Sequence, residues 1–242
     1  MKIILLICLL PMLVFGGGAI NFDGVDRIYT IDNNSLDMST AVSVNVWVNH
    51  TDNTAGYETL LSKRVSSSSN YEIGLATGTK ELYYWGGGAV ALSGRTLNLS
   101  EWYMITCIIT TTSCSFYSNG EFITTIATGL GSVNNGNLDI GSVTIARSQG
   151  FNGLIGNPTI FSRSLSLQEI ERIYSSKNAW YPKDGLVSSW SMENNGISTG
   201  QPHPNGITIK DSAGSNDGTI SDGSDNSMIL ESSPIRTKRG RR

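Results

Sequence analysis

Three groups of side chains in this sequence have types and spacings that could do chemistry: a run of aromatics, a set of aspartates and a pair of cysteines. Tyr83, Tyr84 and Trp85 stand together just before Gly86, Gly87 and Gly88. An exposed ring can stack on the apolar face of a sugar while nearby amides and carboxylates bind its hydroxyls. Alternation along a strand points Tyr84 away from its two neighbours, and Trp85, at the strand's end, is the leading candidate to meet a ligand. The same rings can instead fill a core or brace the glycine loop. Asp23, Asp26 and Asp32, with neighbouring carbonyls, have the oxygen chemistry of a calcium site. The competing reading gives Asp23 to the turn at Gly24 and Asp32 to solvent. Cys107 and Cys114 suit a disulfide in an exported chain or a pair of small buried hydrophobes.

Other chemistries lack their parts. Retaining glycoside hydrolysis needs two carboxyls about 5–5.5 Å apart, which on one strand means alternate positions, and no strand here carries such a pair. Glu72 and Glu81 fall on different strands, and Glu169 and Glu171 on a helix. His50 and His203 are isolated, with neither zinc-ligand spacing nor triad partners. No Gly-x-Ser-x-Gly elbow is present, and no helix follows Gly86 to Gly88 to make a phosphate cradle. With 20 acidic against 17 basic residues, five of the basic ones in the last seven positions, the body is acidic and does not suit nucleic acid. The expectation is a protein that is not an enzyme.

The elements that position these groups are strands. Their centre is the stretch from Glu101 to Gly120, two β-strands rich in β-branched and aromatic residues with an Asn119-Gly120 turn. A turn centred on Thr110 and Thr111 would set Cys107 opposite Cys114, Ile109 opposite Thr112 and Ile105 opposite Phe116. Ile105, Cys107, Ile109, Cys114 and Phe116 then share one face, which needs a second sheet to cover it. Val42, Val44, Val46 and Val48 likewise alternate with Ser43, Asn45, Trp47 and Asn49. Trp47, on the polar side, is expected to be covered by the C-terminal segment. Short strands with turn signals between them continue from Ile20 to Phe161, which argues for an all-β sandwich. One helix is marked, from about Leu167 to Ser176, by the capping box Ser166-Leu167-Gln168-Glu169 and the apolar residues Ile170, Ile173 and Tyr174.

The ends have their own character. Residues 1–19 read as a secretory signal peptide, with a short positive start, an apolar run from Ile3 to Phe15 and cleavage after Gly16 or Ala19. The protein is therefore expected outside the cell or on a surface, with no membrane span once the leader is gone. Residues 20–181 form the sandwich. Residues 182–231 have too little apolar content for a core of their own, and residues 232–242 are a basic tail.

Several stretches together resemble the LamG-like jelly-roll family, the laminin G and concanavalin A-like lectin–glucanase sandwiches. They are Phe22-Asp23-Gly24-Val25-Asp26, Val44 to Val48, Leu60 to Lys63, Trp102-Tyr103, Phe116 to Gly120, Leu138 to Gly141, Phe151 to Ile155 and Ser164 to Ile170. The resemblance covers residues 20–176 and implies two packed antiparallel sheets in a jelly roll. It also implies an acidic pair in the late strand, where this chain has Gly156 and Asn157. Gly185 to Trp190, followed by Asp211 to Thr219, resembles the opening of a second copy, either a truncated repeat or a permuted strand docked on the first. The function expected is a binding or adhesion module presenting rim loops, with Trp85, Tyr84 and Tyr83, to glycan or extracellular protein. The alternatives are a structural surface component, for instance on a virion, and a glycoside hydrolase.

Overall fold

The computed structural model describes residues 17–52, 56–143, 149–192, 200, 202, 204–221, 228 and 230–233. In chain order the strands are β1 (Gly17–Asp23), β2 (Arg27–Thr30), β3 (Ala41–His50), β4 (Glu58–Val65), β5 (Ser68–Leu75), β6 (Glu81–Gly86), β7 (Ala89–Thr96), β8 (Trp102–Thr110), β9 (Cys114–Ser118), β10 (Glu121–Ile126), β11 (Leu138–Ile140) and β12 (Asn152–Phe161). Helix α1 (Leu167–Ser175) precedes β13 (Leu186–Ser189), β14 (Thr208–Ile209), β15 (Gly218–Ser221) and β16 (Leu230–Ser233). Two antiparallel sheets result. The first runs β10-β9-β8-β3-β12-β1-β16, with β13 also on β12, and the second runs β14-β15-β2-β11-β4-β5-β6-β7.

Alternation decides what lies between them. Val42, Val44, Val46 and Val48 all point into the core, where they meet Ile28, Leu61, Ile73, Tyr84 and Ile140 of the second sheet. Each such side chain contributes roughly 1.5–3 kcal/mol by leaving water. In β12 Ile155 and Ile160 both point inward although five positions apart, and a bulge between Gly156 and Thr159 makes that possible. Asn157 adopts φ 43° there, and Pro158, which has no N–H to donate, sits inside the same irregularity.

The central hairpin is slipped from the expected register. Ile109, not Cys107, faces Cys114, and Cys107 faces Phe116. The turn is centred on Thr111 and Thr112 because Thr110 Oγ1 accepts from the amide of Ser113 at 3.1 Å and Thr110 N donates to the Ser113 carbonyl at 2.8 Å. The slip leaves every side chain on its expected face. The cysteines are thus diagonal neighbours and free thiols buried in the core, rather than a directly opposed pair.

A second apolar layer lies on the outside of the first sheet. Ser166 caps α1 with a reciprocal capping box, and Ile170 and Ile173 pack on Met104, Ile108 and Phe161. Trp47 stacks on Tyr174 at 5.8 Å and donates its indole N–H to Asn178 at 3.0 Å. Its cover is therefore α1 and the turn that follows, not the C-terminal segment.

That segment joins the sandwich elsewhere. The strand β13 pairs with Thr159–Phe161 of β12, in the lane that β1 fills alongside Asn152–Ile155, and runs in the same direction as β1. It precedes the Phe22-Asp23-Gly24 strand in space while following it in the chain. Trp190 and Met192 enter the common core, where Trp190 donates to the Asn216 carbonyl at 2.7 Å. The second sheet gains β15 beside β2, and β16 pairs with β1. Gly17, Gly18 and Ala19 belong to this last pairing; cleavage after Gly16 leaves β1 whole, whereas cleavage after Ala19 removes those three residues. Residues 1–16 of the expected leader and residues 234–242 of the basic tail lie outside the described residues.

Candidate functional site

The outward side of the second sheet carries one continuous row across the strands. Register places Thr219, Tyr29, Asp139, Ser62, Glu72, Trp85 and Val90 side by side from β15 to β7. Their chain neighbours Ile28, Ile140, Leu61, Ile73 and Tyr84 all face the core, so the core pattern itself turns this row outward. A two-residue turn at Gly87 and Gly88, both at positive φ, sets Trp85 against Val90.

Trp85 ends β6 half-buried, with the Arg64 guanidinium 3.7 Å from its ring centroid. Arg64 Nη1 also reaches Glu72 Oε2 at 3.4 Å and Gln149 Oε1 at 3.2 Å. Glu72 is wholly buried and accepts from Ser62 Oγ at 2.8 Å and from the Tyr83 hydroxyl at 2.8 Å. Burial pushes the Glu72 carboxyl above its usual range, against the pull of Ser62, Tyr83 and Arg64. The phenol of Tyr83 is driven up by its own burial and by Glu72, so it remains a donor. Tyr83 lies over Gly74, where an added Cβ would fall 2.6 Å from its ring, and meets Tyr57 edge-on at 5.2 Å. Val90 and Leu92, opposite Trp85 and Tyr83, are 44 % and 47 % exposed. At the other end of the row Arg27 lies over Tyr29, 5.1 Å from the ring centroid, and pairs with buried Asp139 at 3.5 Å. The buried indole N–H of Trp85 has no acceptor among the described residues. Half-buried rings, exposed apolar side chains and two arginines thus share one surface above a buried polar layer of Ser62, Glu72 and Asp139, and apolar edges beside hydrogen-bond donors are what a sugar's CH face and hydroxyls require.

The expected site residues separate. Trp85 and Tyr83 belong to this face, which is the side of a sheet and not a rim of loops. Tyr84 does not: it is fully buried in the core and donates its hydroxyl to the Gly129 carbonyl at 2.8 Å. The three aspartates do not converge. Asp23 accepts from the amide of Val25 at 3.0 Å and Asp26 from that of Asp23 at 3.2 Å, shaping the turn at Gly24. Asp32 goes instead to the buried ammonium of Lys63, at 2.5 Å. No group of three His, Cys, Asp or Glu among the described residues is placed to hold a metal. Glu72, Asp139, Arg64 and Arg27 are absent from the expected set. Glu72 could have been placed with Trp85, because Tyr71, Ile73 and Leu75 assign it to the other face; Asp139 on its three-residue strand offered no such pattern.

A two-sheet jelly roll with a mixed aromatic and polar sheet face is the class that this architecture defines. The chain belongs to the concanavalin A-like lectin/glucanase superfamily, whose laminin G-type model matches residues 23–171. Among solved structures it is similar to a candidate carbohydrate binding protein from Bacteroides ovatus, at 16 % identity and TM-score 0.69, over 90 % of this chain and 61 % of that one. The chain thus spans about three fifths of that protein. It also resembles the heptameric SAP-like pentraxin of Limulus polyphemus, at 14 % identity and TM-score 0.60, over 90 % of this chain and 96 % of that one. A third is domain 4 of AbnA, an extracellular arabinanase from Geobacillus stearothermophilus solved with arabinotriose, at 19 % identity and TM-score 0.52, over 64 % and 76 % of the two chains. No curated protein matches in sequence. No helix among the described residues is long and apolar enough to cross a membrane.

Proposed function

We propose that the chain is an exported, non-catalytic lectin-like module that binds glycan on the outward face of its second sheet, around Trp85. The observation that carries this reading is Trp85 itself, a half-buried ring on the outer face with the Arg64 guanidinium over it and exposed Val90 beside it. The carbohydrate binding named for the Bacteroides protein and the arabinotriose in the AbnA domain agree with it. Glu72 and Asp139 sit two strands apart, a separation of about 9.6 Å between backbones. Each is buried against an arginine, which suits an acid that positions its arginine better than one that must reach a glycosidic oxygen.

The test is a glycan array followed by calorimetry on the hits. Trp85→Ala should weaken binding about tenfold, or roughly 1.4 kcal/mol, with the fold intact by circular dichroism. Unchanged affinity in that variant would move the site elsewhere, and silence across the array would shift weight to an assembly role. New reducing ends from any hit, lost in Glu72→Gln or Asp139→Asn, would make the protein a hydrolase.

A further inference from the structure

The outward row holds the same set of three side chains twice. At one end Arg64 covers Trp85 and pairs with Glu72; at the other Arg27 covers Tyr29 and pairs with Asp139. In each set a guanidinium lies over an aromatic ring and beside a buried acid on the adjacent strand. Trp85 and Tyr29 are half-buried, whereas Asp139, Ser62 and Glu72 between them are sunk to 2 %, 0 % and 0 % exposure. The two rings are therefore the more exposed ends of the row, with its polar members buried between them. They stand on β6 and β2, four interstrand steps of about 4.8 Å, or roughly 19 Å.

Resting on the glycan reading, we infer that Tyr29, Arg27 and Asp139 form a second subsite for the same ligand. The ligand is then an extended, electrically neutral oligosaccharide lying across the strands, not a single terminal sugar. Its length follows from the ring separation, since a monosaccharide or disaccharide is too short to touch both ends. Its neutrality follows from the placement of the arginines: each guanidinium already lies over a ring and against a buried acid, so neither is free to receive the carboxylate of an acidic sugar. Two sites for separate small ligands would need no shared register, whereas here five side chains from five adjacent strands fall in one line.

The probes are β-1,4-linked gluco-, xylo- and manno-oligosaccharides of graded length, with oligogalacturonates as the acidic counterpart, titrated calorimetrically into the full chain. Affinity for one neutral series should rise steeply with length until the ligand spans both rings, then level off. Tyr29→Ala should weaken the longest oligomers about tenfold and flatten the length dependence. Tyr29→Leu, which keeps the apolar bulk without a ring, should do the same and guards against a folding failure. Oligogalacturonates of equal length should bind at least tenfold more weakly, and the neutral series should be indifferent to added salt. Length-independent affinity, or Tyr29 variants that bind long oligomers normally while Trp85→Ala does not, would overturn the second subsite and leave the Trp85 site standing. A preference for the acidic series would overturn the neutrality. Failure of every series to bind, with unrelated glycans positive on the array, would overturn the inference alone; failure of all glycans would take the functional reading with it.

Discussion

Replacing Lys63 by methionine tests how the loops at one end of the sandwich are held. The Lys63 ammonium, on β4, is wholly buried and lies 2.5 Å from Asp32 Oδ1, 3.0 Å from Asp37 Oδ1, 2.7 Å from the Asn134 carbonyl and 2.6 Å from the Gly136 carbonyl. It ties the segment after β2 to the segment before β11, as a bound cation would, and it takes Asp32 out of contention for calcium. Methionine keeps the stem and deletes the charge. Removing one partner of a buried ion pair costs about 3–5 kcal/mol. The side chains of Asp32 and Asp37 are 27 % and 20 % exposed and can rehydrate, which favours the lower end, about 3 kcal/mol. For a chain of this size that is a fall in Tm of roughly 6–12 °C. In urea the midpoint should drop with the slope unchanged. Asp32→Asn should cost less, because Asp37 and both carbonyls remain. A loss below about 1 kcal/mol in Lys63→Met would refute the reasoning, and so would a rise in the unaltered protein's Tm on adding calcium, since the oxygen cage would then be open to a metal.

Two further outcomes follow from buried groups. Folded Glu72 holds its proton at pH values where the unfolded chain, with its ordinary value of 4.5, has released it; its contribution to stability is therefore full below that value and drains away as pH rises through the folded one, at up to about 1.4 kcal/mol per pH unit. Glu72→Gln should flatten that descending limb in urea melts taken across pH 4 to 8, and superimposable profiles would contradict it; His50, lowered chiefly by burial and then by Lys80, slopes the opposite way below 6.5, so the comparison must be between the two proteins. The thiols of Cys107 and Cys114 are buried, with that of Cys114 pushed up by desolvation, so in a Cys8→Ser background a thiol reagent should modify neither until the protein unfolds and both afterwards. Fewer than two reactive thiols in denaturant without reductant would mean that the pair is linked.

The inward faces were legible because alternation is a local property: the Val42 to Val48 row and the Ile105, Cys107 and Ile109 row each declare their side within one strand. Register is not local. The central turn slipped by one position on each strand because the Thr110 and Ser113 side chains and backbones closed the two-residue loop at Thr111 and Thr112, a preference that β-branched composition does not reveal. The site needed several such registers at once, for Tyr29, Asp139, Ser62, Glu72 and Trp85 come from five strands, and a one-residue slip in any of them would turn its member into the core. Reading each strand alone left Glu72 without a partner.

What marks this face afterwards is a choice that the core does not require. Once Tyr71, Ile73, Leu138 and Ile140 point inward, the outward positions of β5 and β11 are free to be serine or threonine, as Ser62 is. Instead they carry Glu72 and Asp139, buried to 0 % and 2 % exposure and each matched by an arginine. A buried ion pair is often no better for stability than neutral residues of similar volume, so packing alone does not account for two of them in one row. Their value lies in position: each acid sits against the arginine that lies over Trp85 or Tyr29. If that is their role, Glu72→Gln and Asp139→Asn should loosen glycan binding even where the fold is intact by circular dichroism, whereas a purely structural pair would cost stability and leave the affinity of the folded protein alone.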